Sequence, residues 1–379
     1  EVHGAAGKDP FEPWRSCGYL YEPIELTAPA RRIWLAGQKL GLRPFQMPMA
    51  INFENAARAL CIRCLTCDGF PCQIGAKNDL TATLLRQAQA LGVDIVAGIQ
   101  VNRLVESADR IQAVQCVDRS TRKEVVLSAP IVVVAGGAIQ SPGILLRSGL
   151  ERFPQHHLIG RYLMRHCNAV IAGIFPFQTN VKREFHKQLC FTDFYESFRA
   201  RDGMATGVVQ DIYSPDPVVL KHFAPRGFKS LAAIAGGHLQ NLLCVAEDEP
   251  QYENAVTATA EPDAFGVGCL QVRHQYSKRD CERRDYLAKQ ARKILRSAGA
   301  LFFHTYRIDS FSHALGSLRM GADPNTSVLD SFCRFRGIDN LFVVDGSIFP
   351  SSGGVNPSLT IAANGLRVGD HISRTFRTV

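Results

Sequence analysis

The sequence predicts a mixed α/β (α+β) fold in which an incomplete doubly wound domain interleaves with a domain built on an antiparallel sheet. Three observations predict it. The run Ile131-Val132-Val133-Val134-Ala135 is apolar on both faces and stops at Gly136-Gly137, the pattern of a central strand buried on two sides in a parallel sheet. A second strand of this kind, Leu341-Phe342-Val343-Val344, arrives only near the end of the chain. Between them, residues 160–275 hold several β-like runs and few helices, which reads as a mainly antiparallel sheet. One structure is thus inserted into the other.

Each element follows from local pattern. A helix over 30–40 ends at Gly41, and one over 79–91 ends at Gly92, both with the glycine stop that releases a helix C-terminus. Strands are expected at 93–96, 101–105, 111–118 and 123–128, separated by polar turns. The central strand at 131–135 leads through Gly136-Gly137 and Ser141-Pro142 into a helix. Further strands are expected at 168–175, 231–236, 242–246 and 266–274. In 279–297, Tyr286, Ala288, Ala291, Ile294 and Leu295 share one helical face, and Gly299 closes it. A last helix is expected over 357–373. The expected organisation is an N-terminal extension with a Cys-rich loop (1–75), a sheet-and-helix domain in two pieces (76–160 and 330–379), and a second domain between them (161–329).

Composition bounds the function. The chain has 379 residues, 46% hydrophobic and 21% charged, ordinary for a globular protein that can bury a large core without staples. Net charge is +8, yet the densest basic stretch, 278–284, also carries Asp280 and Glu282. So diffuse a surplus excludes a nucleic-acid groove as the expectation and suits an anionic ligand such as a cofactor pyrophosphate. No apolar run reaches the roughly 20 residues that span a bilayer. The polar start, without Met, is expected to lie inside a longer protein. Of twelve cysteines, Cys17, Cys116, Cys167, Cys190, Cys244, Cys269, Cys281 and Cys333 are dispersed. They read as thiols of a reducing, cytoplasmic compartment.

Four places can carry chemistry. Gly136-Gly137 ends a strand where ligands of doubly wound sheets bind, and glycines admit close approach. His313, in Ser312-His313-Ala314-Leu315-Gly316, is either a structural histidine or a proton acceptor, since imidazole alone among side chains titrates naturally near neutral pH. Asn356-Pro357 reads as a helix start, with Asn at the cap and Pro first in the helix; such a terminus also attracts negative charge. The cluster Cys61-x2-Cys64-x2-Cys67-x4-Cys72 fits an iron–sulfur or zinc site, one or two disulfides, or free thiols.

Residues 137–150, Gly-Ala-Ile-Gln-Ser-Pro-Gly-Ile-Leu-Leu-Arg-Ser-Gly-Leu, resemble the second signature of the glucose–methanol–choline (GMC) flavoenzymes almost position by position; Glu151 departs from the final glycine. Gly75-Ala76-Lys77, Ile159 to His166, Asn254 to Thr257, and Asp263 to Gly266 are similar to family segments as well. The resemblance covers about residues 60–375 and implies an FAD-dependent oxidation of an alcohol to an aldehyde or ketone. By it, His313 matches the histidine that takes the hydroxyl proton, and Asn356 the second catalytic position. It implies cofactor contacts at Val101, Gly136, Gly137, Asp345 and Gly346. A helix opening at Pro357 and Ser358 would face the anionic reduced flavin. The implied partners are a small-molecule alcohol and an electron acceptor, oxygen or a redox carrier.

A complete relative would open with a strand, G-x-G-x-x-G and a helix, and no such unit stands here. The chain is therefore expected to hold an incomplete flavin site. Two competing expectations are a non-catalytic fragment of such an enzyme and an electron-transfer protein with an iron–sulfur cluster at Cys61, Cys64, Cys67 and Cys72.

Overall fold

The computed structural model describes residues 4, 7, 9–12, 14–64, 67, 70–215, 217–223, 226, 227, 229–311 and 313–376. In chain order they form α1 (Ala28–Lys39), β1 (Phe45–Gln46), α2 (Leu84–Ala90), β2 (Ile99–Ser107), β3 (Arg110–Asp118), β4 (Glu124–Leu127), β5 (Val132–Val134) and α3 (Gly137–Leu146). Then come β6 (Ala169–Ile174), β7 (Leu189–Phe191), α4 (Arg199–Asp202), β8 (Gly207–Ile212), α5 (Pro217–Phe223), α6 (Lys229–Gly236), β9 (Leu239–Ala246), β10 (Ala255–Pro262) and β11 (Gly268–Arg273). The chain ends with α7 (Lys278–Ser297), β12 (Phe302–Arg307), β13 (Leu341–Val343) and α8 (Ser358–Thr375).

Two compact units interleave in sequence. The first comprises Glu1–Ile95, Asn168–Ala246 and Glu282–Ile308. Its centre is a six-stranded sheet in the order β1-β7-β8-β9-β6-β12, antiparallel throughout. Strand β9 is buried along nearly its whole length, and its second part, Leu242–Ala246, is a continuous apolar run and not an alternation. Phe45, Cys190, Val208, Leu243 and Val245 pack on one another as a core cluster.

The second unit comprises Val96–Cys167, Glu247–Cys281 and Asp309–Val379. It contains the antiparallel sheet β2-β3-β4, the hairpin β10-β11 and the parallel pair β5-β13. Its main core joins Leu104 and Ile111 to Ile144 and Leu145 of α3, and to Leu318, Leu341, Phe342 and Val368. Residues 247–281 and 309–329, which the sequence groups with the inserted domain, pack with this unit.

The mixed α/β architecture with an antiparallel insertion is present, and several elements differ in detail. Residues 231–236 lie in α6 and not in a strand. Leu-Ala-Ala-Ile-Ala favours helix by its alanines, and Ile234 is exposed, so no sheet pairing overrides that preference. Residues 93–96 form no strand. The helix expected from 79 begins at Leu84, because the Asp79 carboxylate accepts from the backbone N–H groups of Thr81 (3.0 Å) and Ala82 (3.1 Å) and folds those residues into turns. The expected two-faced burial of 131–135 fails: β5 pairs only with β13 among the described residues, and Val133 is 48% exposed.

Candidate active site

The site grows from the carboxyl ends of the parallel pair, the edge where ligands of such sheets bind. Beyond β5 the chain turns through Gly136 and Gly137; beyond β13 it turns through Asp345 and Gly346. The Asp345 carboxylate ties the two turns together. It accepts from the Gly137 N–H (2.9 Å), from the Ser141 hydroxyl, and from the Ser347 N–H (2.8 Å). Ser141 Oγ in turn accepts from the Gly136 N–H at 2.8 Å. Gly137 has φ +78°, a left-handed value, and a Cβ there would meet nothing within 4 Å. It is glycine for its backbone, with open space beside it. Gly346 is glycine for a different reason: a Cβ would stand 3.0 Å from the Ala314 carbonyl oxygen.

Helix α3 starts at Gly137, earlier than the sequence suggests, so Pro142 lies inside it. Proline has no N–H, which orphans the carbonyl four residues back, that of Ala138. The Ser317 hydroxyl donates to that carbonyl at 2.6 Å. Ser317 belongs to the segment that carries His313. Further along α3, Arg147 Nε donates to the Asn102 carbonyl (2.9 Å), and Ser148 Oγ accepts from the Leu104 N–H (2.9 Å). The Arg-Ser end of the signature thus fastens α3 to β2.

The His313 segment is held on two sides. Leu315 and Met164 exchange backbone hydrogen bonds, each 2.9 Å, as an antiparallel bridge. On the other side, Gly316, Leu318 and Met320 donate to the carbonyls of Gly346 (3.1 Å), Ser347 (2.8 Å) and Ile348 (2.8 Å). In an antiparallel register, two residues onward on one strand face two residues back on the other. His166 therefore falls opposite His313.

The two histidines meet through their Nδ1 atoms at 2.9 Å, with ring planes at 90°. His166 Nε2 lies 2.9 Å from the Ser352 carbonyl oxygen and 2.9 Å from that of Gly353. Carbonyls only accept, so His166 Nε2 carries a proton. His166 is 1% exposed. Burial pushes its pKa below the ordinary imidazole value, against the opposing pull of Asp248 and the two carbonyls. The ring is neutral, and its Nδ1 presents a lone pair.

A buried carboxylate anchors this backbone. Asp248 accepts from the Arg165 N–H (2.9 Å) and the His166 N–H (3.0 Å), and its own N–H donates to Ser352 Oγ (3.1 Å). Burial alone would raise the Asp248 pKa, but His274, His166, the Arg165 N–H and Ser352 together bring it below the usual carboxylate value. His274 Nε2 lies 3.4 Å from Asp248 Oδ2. The Tyr276 hydroxyl donates to the His166 carbonyl at 2.8 Å. Arg165 spreads its guanidinium over Tyr276 (4.8 Å) and Phe311 (4.5 Å). His166 itself has φ +61°, a strained value for a non-glycine residue, which the surrounding bonds hold in place.

Of the residues singled out from sequence, His313, Gly136, Gly137, Asp345 and Gly346 fall within this connected frame. Val101 lies at an irregularity of β2, paired with Cys116, and packs against the main core. Ser312 lies outside the described residues. Pro357 caps α8 and Ser358 opens it, one residue later than expected, with no side-chain cap bond. Asn356 is partly buried just before that cap. His166, Asp248 and the 352–353 carbonyls are the participants that sequence reading missed.

None of the four clustered cysteines forms a disulfide. Among the described residues, no group of three or more His, Cys, Asp or Glu is placed to hold a metal ion, so the iron–sulfur expectation has no support. Burial first, then the neighbouring thiols Cys64 and Cys61, raise the Cys67 pKa to about 11. Burial would raise Cys72 too, but the N–H groups of Lys77, Ala76, Ile74 and Gly75 bring it below the ordinary thiol value.

The fold is similar to that of two solved oxidoreductases. Pyridoxine 4-oxidase from Mesorbium loti superposes with a TM-score of 0.63 at 19% identity, over 94% of this chain and 70% of that one. An FAD-dependent oxidoreductase from Chaetomium thermophilum superposes with a TM-score of 0.61 at 13% identity, over 95% and 76%. Residues 23–168 and 250–365 match the N- and C-terminal GMC oxidoreductase domains. The chain belongs to the GMC oxidoreductase family. Among its relatives, 6'''-hydroxyparomomycin C oxidase of Streptomyces lividus is 30% identical over 98% of this chain and 68% of its own length. Paromamine 6'-oxidase of Streptomyces fradiae is 30% identical over 92% and 66%. The 2-methyl-1,2-propanediol dehydrogenase of Mycolicibacterium austroafricanum is 28% identical over 80% and 59%. The chain spans 59% to 68% of the length of these three relatives.

Proposed function

We propose that this chain carries the alcohol-oxidising site of an FAD-dependent oxidoreductase, with a hydroxyl-bearing small molecule as substrate. The observation that supports it most is the contact between His166 and His313. With His166 neutral and its Nε2 protonated, the hydrogen between the facing Nδ1 atoms comes from His313. That leaves His313 Nε2 as the unprotonated nitrogen, fit to take a hydroxyl proton.

FAD, when bound, supplies the hydride acceptor for the carbinol carbon. The residues present fit such a group: Gly137 offers an open left-handed turn, and α8 begins without a side-chain cap. Gly136, Gly137, Asp345, Gly346, Pro357 and Ser358 would border it, with Val101 on the β2 side. Asn356 would orient the substrate oxygen while His313 removes its proton. The names of the relatives, two oxidases and a propanediol dehydrogenase, support an alcohol as the substrate class. The dispersed cysteines of the sequence suit a cytoplasmic, reducing compartment. Oxygen or a redox carrier takes up the electrons.

Replacing His313 tests the reading. His313→Ala is expected to lower kcat for alcohols by about two to four orders of magnitude while bound flavin, measured after denaturation, stays the same. Near-normal turnover removes His313 from the mechanism.

A further inference from the structure

We propose that His166 is a positioning residue that holds His313 as its Nδ1–H tautomer and so assigns the proton-accepting role to His313 Nε2. This rests on the reading of His313 as the base and adds the device that selects which nitrogen acts. The carbonyls of Ser352 and Gly353 allow only one proton position on a neutral His166 ring, Nε2. Nδ1 is then an acceptor, and the 2.9 Å contact to His313 requires a donor on the other side. An isolated imidazole exchanges its proton between two nitrogens; here two backbone carbonyls settle the choice one ring away.

The orientation is built in before any ligand arrives. The His166 N–H is held by Asp248 at 3.0 Å, its carbonyl by Tyr276 at 2.8 Å, and its ring by the two carbonyls. The Met164–Leu315 bridge sets the register that brings the rings together. When His313 Nε2 accepts a proton, its Nδ1–H continues to donate to His166, so the positive ring keeps its partner throughout the step. Holding a catalytic histidine in the wrong tautomer can lower kcat by up to about four orders of magnitude.

The test reads tautomers directly and activity separately. In the 15N-histidine-labelled chain, long-range proton–nitrogen NMR is expected to show His313 protonated at Nδ1 and His166 at Nε2. A wild-type spectrum with His313 protonated at Nε2 overturns the proposal without any substitution. In His166→Phe, which keeps a ring but no acceptor, the His313 signals are expected to move toward the Nε2–H form. In the flavin-loaded enzyme, kcat is expected to fall by about ten- to a thousandfold with KM little changed. His166→Gln, which returns an acceptor oxygen and tolerates the buried site, is expected to restore part of both. Unchanged His313 tautomers in both variants overturn the proposal. A tautomer change with undiminished turnover upholds the positioning by His166 and instead overturns His313 as the base.

Discussion

Met164 and Leu315 exchange both backbone hydrogen bonds, 2.9 Å in each direction, and their pairing carries His166 to a position facing His313. The segment after the α3 signature and the segment before β13 are distant in sequence. Two backbone hydrogen bonds bring them together as a pair of facing imidazoles. The chemistry of the site therefore depends on backbone register as much as on side-chain identity.

The strongest structural consequence is expected at Asp345. Asp345→Ala leaves the Gly137 N–H, the Ser141 hydroxyl and the Ser347 N–H without their shared acceptor. Hydrogen bonds to a charged group contribute about 1.5–3 kcal/mol each, and buried donors left unmade add to the loss. A destabilisation of at least about 3 kcal/mol is expected from denaturant unfolding. A shift below about 1 kcal/mol would mean that the two turns do not depend on this carboxylate.

Gly137→Ala separates fold from cofactor. An added Cβ meets nothing within 4 Å in the chain, and only the left-handed φ opposes it. The expected stability cost is thus about 1–2 kcal/mol. Flavin content is expected to fall far more than stability does, because the methyl group projects into the open side of the turn. Full flavin content in a folded variant would show that Gly137 does not border the cofactor.

Acid should weaken the second unit. The pKa of His166 is depressed by burial, opposed by Asp248 and the Ser352 and Gly353 carbonyls, and Asp248 is depressed by its partners despite burial. A depressed group contributes stability that is present above its unfolded pKa and lost as pH falls through the folded one. For His166 the decline starts near the ordinary histidine value of about 6.5; for Asp248 it starts near about 3.9. Protonating His166 also places a second donor against His313. Unfolding free energy is expected to drop between pH 7.5 and 5.5, and to drop less in His166→Phe. Equal pH slopes in the two proteins would remove His166 as the cause.

The cysteine loop should react unevenly. Cys72 is depressed and partly exposed, whereas Cys67 is raised to about 11. Because the thiolate is the reactive form, iodoacetamide at neutral pH is expected to modify Cys72 about tenfold or more faster than Cys67. Mass spectrometry of a labelling time course measures this. Equal rates would show that the backbone N–H groups around Cys72 do not stabilise its thiolate.

Much of this was legible in the sequence, and the exceptions share causes. Strands over 101–105 and 111–118 and the helical face at Ala288, Ala291 and Ile294 follow from periodicity, which depends only on neighbours along the chain. The helix at 229–236 reads as a strand in part because an apolar run suits helix and strand alike, and alanine content decides between them. Val133 looked buried since an apolar strand does not announce how many partners it has. His313 and the Asp345 turn were found because their segments resemble a family. His166 sat inside a similar segment, yet nothing local gives it a partner. Its role comes from the carbonyls of Ser352 and Gly353, and a backbone oxygen leaves no trace in the identity of its residue.

Pro142 offers a different lesson. By refusing its own helical bond, it turns the Ala138 carbonyl into a peg outside α3, and Ser317 hooks onto it. The loop bearing His313 is thereby indexed to the helix by a residue whose contribution is something it lacks. Anyone grafting this histidine loop into another scaffold would have to carry the proline along, although it touches no reacting atom.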